Sequence, residues 1–448
     1  MATSLRGTPP PPAPPAARRG VVADLSVVAA GVVLVVLAAV VGRLSYGGGH
    51  EVYLGWPPLL AQWLPHVGPG TPAAVVTSVL VVVFGPGLAR RMRWRGLLAA
   101  GYAAAVAWTL SLALVDGWQR GVVARLSSAD EYLNDVGRVS DVGAMLRTFT
   151  DFVVTADQPG HWTTHVAAHP PGAFLFYVGL DRLGLGAGGP AGIVTVLVGA
   201  SACVAVAVAV RALAGEDLAR RVLPFGVLLP GAVWAGVSAD GMFAAVLAWG
   251  VALLAVGAIG RLGWAAAGGL LLGVAVHLSY GLVLGGLIAS AVVVATRRWS
   301  AAGLAVLGAV AVVAAFTAAG FWWFTGLQRT GVIYAASAAA ARPYAYFVWA
   351  NLAAVAFAAG PAVCAGVRRL LAAPRAVPVG VLLLTAGGLA AVLLADLSGL
   401  SKAEVERIWL PFVVWLAVPC ALLPRARRWL AAQAGLALLV NHLLLTVW

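Results

Sequence analysis

Residues 27–41 read VVAAGVVLVVLAAVV, fifteen positions without a charge. The run is continuously apolar rather than alternating, which suits a helix greasy on every side and excludes a barrel strand with one wet face. Ala245–Ile259 and Leu304–Phe316 repeat the pattern. A bilayer crossing needs about 17–25 such residues, and only helices and closed barrels satisfy the backbone in lipid. The whole chain is 62% hydrophobic and 10% charged, whereas a soluble domain carries about 25% charged residues. An all-α, polytopic transmembrane protein is therefore expected.

The formal net charge of +13 does not form a nucleic-acid stripe. Its arginines stand in short clusters at span ends: Arg18-Arg19, Arg90–Arg93, Arg220-Arg221, Arg261, Arg297-Arg298, Arg368-Arg369 and Arg425–Arg428. That is the positive-inside pattern, and it places these clusters on the cytoplasmic side. Spans consistent with it run over 22–42, 72–89, 96–115, 190–210, 222–237, 242–259, 263–279, 281–296, 302–324, 346–366, 377–395, 408–424 and 428–447, about thirteen in all (range about 12–14). The segment Gly172–Leu185 contains Asp181-Arg182 and, as a full crossing, would invert every later arginine cluster; it is expected to be a partial helix. Residues 1–20 form a Pro-rich cytoplasmic tail, 21–95 two N-terminal spans, 96–424 the main membrane module and 425–448 a final span. The apolar run after the tail lacks a cleavage site and reads as a retained span. Cys203, Cys364 and Cys420 are single and widely spaced, so neither a disulfide framework nor a Cys-based metal site is implied.

One polar stretch interrupts this pattern. Residues 116–141 are DGWQRGVVARLSSADEYLNDVGRVSD, and 151–172 are DFVVTADQPGHWTTHVAAHPPG. Seven of the sixteen carboxylates and three of the seven histidines lie in the loop 116–171. Loops longer than about 12–15 residues are usually functional or disordered, and the Trp, Tyr and Phe in this one favour a folded external element. The topology puts all seven histidines, Glu51, Asp240, Asp396, Glu404 and Glu406 on the same outer side as the loop. Two readings stay open for that sorting. Either arginines were drawn inward and other polar groups were left behind, or the chemistry occurs on the outer face.

Asp130-Glu131-Tyr132 is expected to open a short helix capped by Ser127-Ser128. Such an acidic pair serves either the helix dipole or catalysis, one acid taking a proton from an acceptor hydroxyl and the other positioning substrate or a divalent cation. No other cofactor is implied. His161, His165 and His169 recur every four residues, a spacing that could hold zinc on a helix; Pro170 disfavours helical geometry at His169, so substrate hydrogen bonding and plain packing are the other readings. Asp240, in the turn after 222–237, is costly near the membrane and is a candidate site residue; His277 stands in a similar outer turn. In the outer loop that carries Lys402, Glu404, Glu406 and Arg407, the basic pair Lys402 and Arg407 suits a lipid-linked phosphate, with Arg329 and Arg342 from the 325–345 loop adding to it and Glu406 a further candidate substrate contact, although interfacial snorkelling explains such cations equally well.

Three patches in order resemble the GT-C superfamily of integral-membrane glycosyltransferases, of the protein mannosyltransferase and aminoarabinose transferase type. Ser128-Ala129-Asp130-Glu131-Tyr132 resembles its acidic motif. His169-Pro170-Pro171-Gly172 before Phe174-Leu175-Phe176-Tyr177 resembles its (H/K)PPL motif. Ser238-Ala239-Asp240 resembles its later Asp-containing turn, with Glu406-Arg407 before Leu410-Pro411-Phe412 a weaker match. Two spans precede the presumed first family span, Gly172 stands where Leu is usual, and the acid in Gly47-Gly48-Gly49-His50-Glu51 is a rival base.

The resemblance implies a transferase in the bacterial plasma membrane with its active site outside. It would use a polyprenyl-phosphate-linked sugar and an envelope glycan, glycolipid or protein acceptor, with no nucleic acid involved. Asp130 or Glu131 would be the base. His165, His169, Asp240, His277, Arg342, Lys402, Glu406 and Arg407 would contact substrate, with no resident metal. The competing classes are a transporter or flippase of envelope precursors, which would carry polar groups at mid-membrane on broken helices, and an inactive scaffold.

Overall fold

The computed structural model describes residues 15–46, 51–153 and 160–446; His50, Asp157 and most of the Pro-rich tail lie outside that set. Helix dominates, as the apolar runs require. Among the described residues, eight helices are long and apolar enough to cross a membrane, from Gly20–Leu44 to Val379–Leu397. Gly263–Leu278, Tyr280–Thr296 and Leu410–Leu422 are shorter apolar helices. Two expected spans take other forms. Segment 222–237 is split into Glu216–Val227, with Pro224 inside it, and Ala232–Ala235, because Pro230 cannot donate to a helical ladder. The last segment is the helix Ala426–Leu443, which turns into a strand, Leu444–Thr446. That strand pairs antiparallel with Ala61–Trp63, Ala61 opposite Thr446, tying the C-terminal segment to the first loop.

Two ends of the bundle are chemically distinct. At one end Asp24, nearly inaccessible, bonds Arg368 at 2.9 Å and Arg369 at 2.6 Å, fixing the first helix to Tyr344–Ala372. Arg220 donates there to the Ala89 and Met92 carbonyls. At the other end Asp116 accepts from His66 at 2.8 Å and Arg125 at 2.7 Å, and Arg125 also donates to the Thr446 carbonyl. First loop, long loop and C-terminal strand therefore meet in one place.

Within Tyr344–Ala372 the chain kinks at Gly360, whose φ of 78° precedes Pro361. Gln433 bridges the break, accepting from Ala362 N–H at 3.1 Å and donating to the Ala359 carbonyl at 2.9 Å. A side-chain amide thus replaces the backbone bond lost at the proline.

The segment from residue 172 is the twelve-residue helix Pro171–Arg182, about 18 Å long at 1.5 Å per residue, against about 30 Å of hydrocarbon. Its far end stays with the loop, since Arg182 donates to the Ser140 carbonyl at 3.2 Å. Gly172 sits where a Cβ would come within 2.4 Å of the His277 carbonyl oxygen. That contact leaves no room for a side chain at this position. Residues 325–345, expected as a loop, lie largely in the helix Trp323–Ala336. Its Thr, Gln and Arg residues break the hydropathy that marks a span, yet the helix lies at the surface with Phe324 and Val332 exposed.

Candidate active site

The long loop is folded around aromatic side chains. Trp162 stacks on Phe149, abuts Phe174 and donates its indole N–H to the Phe149 carbonyl at 2.9 Å. Arg138 lies over the Trp162 ring at 4.4 Å and pairs with Asp135 at 2.6 Å. Ser127 and Ser128 do not cap a helix. The local helix is only Leu133–Val136, capped by no side chain, and Asp130–Tyr132 occupy the turn before it. The loop's real cap is Asp141, whose Oδ1 accepts from the Gly143 and Ala144 amides and is thereby held below the usual carboxylate range.

The two acids of the pair face different surroundings. Asp130 is exposed and accepts from the Thr164 hydroxyl at 2.6 Å. Glu131 is 5% exposed and accepts from His165 Nδ1 at 2.9 Å. Tyr132, fully inside, stacks on Tyr177 with ring centres 5.0 Å apart, and its hydroxyl lies 3.1 Å from His169 Nδ1. Burial, then Glu131, pushes the Tyr132 phenol well above its ordinary range. His169 Nδ1 also lies 2.8 Å from the His165 carbonyl, which can only accept. The proton is accordingly assigned to Nδ1, and Nε2 is left as the ring's acceptor. Burial, then His165, lowers His169 to about 4, so the ring is neutral near pH 7. His161 is exposed, its carbonyl bonded by Arg138; the helix here is only Thr164–Ala167. The three histidines therefore do not stack as a zinc face, and among the described residues no three His, Cys, Asp or Glu side chains converge in ligating geometry.

Asp240 meets this cluster from the other side. It lies in the first turn of Ala239–Ile259, behind a Ser238 cap, where the helix dipole favours an anion. Its Oδ2 accepts from Arg407 at 2.8 Å and from Ser238 at 3.2 Å. Arg407 also reaches Glu404 at 3.4 Å. Burial alone would lower this guanidinium, but Asp240, Glu404, Glu131 and Tyr132 together keep it above its ordinary value. Glu404 binds Arg342 at 3.2 Å as well. The chain Asp240–Arg407–Glu404–Arg342 thus runs beside the Glu131–His165 and Tyr132–His169 pairs. Val237, Ala403 and Glu404 hold positive φ values of 46°, 73° and 61° next to it. Non-glycine residues seldom adopt that conformation, and such strain gathers at functional sites.

Lys402 stands at the edge, its ammonium donating to the Ala340 and Arg342 carbonyls at 2.6 and 2.8 Å. Burial, then Arg342, lowers its pKa. Asn351, which hydropathy reading passes over, holds this loop by bonding Asp396, the Ser401 carbonyl and the Ala403 amide. Tyr132 and Glu404 belong to the cluster as well, and their signal in the sequence is a place beside Glu131 and two residues before Glu406. His277 does not join the cluster. It stacks on Phe316 at 4.1 Å beneath Gly172, its Nδ1 on the Gly273 carbonyl. Glu51 is exposed on the first loop and outside the cluster.

Glu406 is fully buried beside the first loop rather than in the cluster. Among the described residues neither carboxyl oxygen has a hydrogen-bond partner of normal geometry, though the nearby amides of Glu406 and Leu60 favour the anion. Desolvation wins and pushes this carboxyl up to about 7. Between its ordinary value, about 4.3, and 7 the folded state holds a proton that the unfolded state has released. Stability contributed by Glu406 is therefore full below that window and falls as pH rises through it. Glu406→Gln should flatten this slope and raise the melting temperature at pH 8, measured by thermal unfolding in detergent from pH 4.5 to 8. An unchanged slope would show that the carboxyl is not titrating there.

No protein-family model matches the chain, and no curated protein matches it. Among solved structures it is similar to ArnT from Cupriavidus metallidurans bound to undecaprenyl phosphate. The two are 18% identical over 74% of this chain and 60% of that one, with a TM-score of 0.49. The same protein in its apo state gives 19% identity, 72% and 59% coverage, and a TM-score of 0.45. The chain thus spans about three fifths of the length of the ArnT structures it resembles.

Proposed function

We propose that this chain is a GT-C-type membrane glycosyltransferase that moves a sugar from a polyprenyl-phosphate donor to a cell-envelope acceptor on the outer face. The observation that carries the reading is the buried Glu131–His165 pair set against the Asp240–Arg407–Glu404–Arg342 chain, at the loop-bearing end of a greasy bundle. A proton acceptor and a cationic wall side by side are what glycosyl transfer from a phosphate requires.

In this mechanism Glu131 takes the acceptor hydroxyl proton while His165 holds its carboxylate in place. The acceptor oxygen forms the new bond to the anomeric carbon as the bond from that carbon to phosphate oxygen breaks. The polyprenyl phosphate leaves with the electron pair. Arg407 and Arg342 are partly neutralised by carboxylates, which keep them rigid. Lys402 is held by two carbonyls and lies over the Tyr334 ring, with no carboxylate paired to it among the described residues, so its charge is uncompensated and one N–H remains for phosphate.

The test is transfer from radiolabelled polyprenyl-phosphate pentose and hexose by purified protein in detergent. Lys402→Met should raise the donor KM by about tenfold or more, the worth of one charge-assisted hydrogen bond, with kcat less affected. An unchanged donor KM would remove Lys402 from the phosphate site. No transfer by the wild type from either donor to any envelope fraction would remove the transferase reading.

A further inference from the structure

The arginine end of the bundle contains a cavity of about 640 Å³ between the helices Thr71–Arg91, Glu216–Val227 and Ala426–Leu443. Pro86, Phe225 and Leu430 make its walls apolar, and Arg90, Arg220, Arg221 and Arg425 ring it, with Asp217 as the one lining carboxylate among the described residues. An adjoining hollow of about 450 Å³ adds Arg427 and Arg428. Arg220 is committed to Glu216 and to two carbonyls. The other five guanidiniums have no hydrogen bond or ion pair among the described residues.

Two independent features ask for an anion with a greasy tail. Arg425, Arg427 and Arg428 crowd the start of an eighteen-residue helix, where the dipole is positive and cations are unfavourable unless an anion sits among them. Arg425 holds a left-handed φ of 55° there. In addition, an apolar groove of about 290 Å³ runs beside Pro224, which lines both spaces, and includes Leu80, Phe84 and Leu88. Those three side chains are about half exposed at the outer surface of the bundle. A soluble anion would account for the basic mouth and leave the groove unexplained; a lipid accounts for both.

We infer that this cavity is a binding site for the phosphate headgroup of an anionic lipid, with the lipid chain lying in the adjoining groove. Ordinary attraction of arginines to an anionic leaflet spreads over the whole surface, whereas this site is confined to the cavity. Arg375, at the same end but outside the cavity, separates the two.

The experiment is native mass spectrometry of the full-length protein in detergent with equimolar dioleoyl-phosphatidylglycerol and dioleoyl-phosphatidylcholine. The wild type should retain phosphatidylglycerol preferentially. R221Q/R425Q should bind it about tenfold or more less tightly, as expected for lost charge-assisted contacts; R375Q should bind it as the wild type does. Millimolar inorganic phosphate should not displace it. Equal retention of the two lipids, unaltered binding by R221Q/R425Q, or an equal loss in R375Q would each overturn the site. Displacement by inorganic phosphate would overturn the lipid as its occupant. Thermal unfolding without lipid checks that the double variant is folded, and R428Q, a change confined to an exposed side chain, replaces it if it is not.

Discussion

Glu131→Gln should leave a folded, membrane-inserted protein whose transfer rate is about 10²–10⁴-fold lower, the usual worth of general-base assistance. Glutamine keeps the shape and can still accept from His165 Nδ1, so the 2.9 Å contact survives, but the amide cannot take the acceptor proton. Asp130→Asn should behave very differently. Asp130 is exposed and, among the described residues, engages the Thr164 hydroxyl and its own backbone links, and asparagine retains that acceptor. Near-complete activity is expected, as it is for Glu51→Gln. The three variants, compared in the donor assay with matched thermal unfolding, distinguish the assignments. Full activity in Glu131→Gln with loss in Asp130→Asn would move the base by one residue, and loss only in Glu51→Gln would move it to the first loop.

Arg407→Ala should be the most damaging single change to stability. It leaves the buried Asp240 without its 2.8 Å partner and Glu404 with Arg342 as its one ion-pair partner among the described residues. Removing one member of a buried ion pair costs about 3–5 kcal/mol because the other charge is stranded. Weakened donor binding would then be masked by misfolding, so a second variant is needed. Asp240→Asn combined with Arg407→Met removes both charges and should recover most of the melting temperature while remaining inactive. A double variant no more stable than Arg407→Ala would show that Arg407 is not held chiefly by Asp240. A stable and fully active double variant would remove the pair from the chemistry.

The membrane architecture was legible because hydropathy is a local property. Val27–Val41 or Leu304–Phe316 must be helical in lipid whatever surrounds them, and an arginine cluster marks a span end without reference to any other residue. The interrupted spans were less legible. A proline at position 230 signals a break, but only packing decides that Gln433 spans the kink at Gly360 from 71 to 74 positions away.

For the site, the sequence alone determined the polar loop, its acidic pair and the turns carrying Asp240 and Arg407, since each is a short run of unusual residues in apolar surroundings. Tertiary structure decided which of these residues meet. Asp240 and Arg407 lie 167 positions apart and meet at 2.8 Å. Asp130 and Glu131 are neighbours with opposite exposure, and Glu406 and Arg407 are neighbours of which only the arginine reaches the cluster. Adjacent residues in a tight turn point in different directions. Which one is desolvated, and therefore which one can have its chemistry tuned, is set by whatever packs against that turn from the rest of the chain.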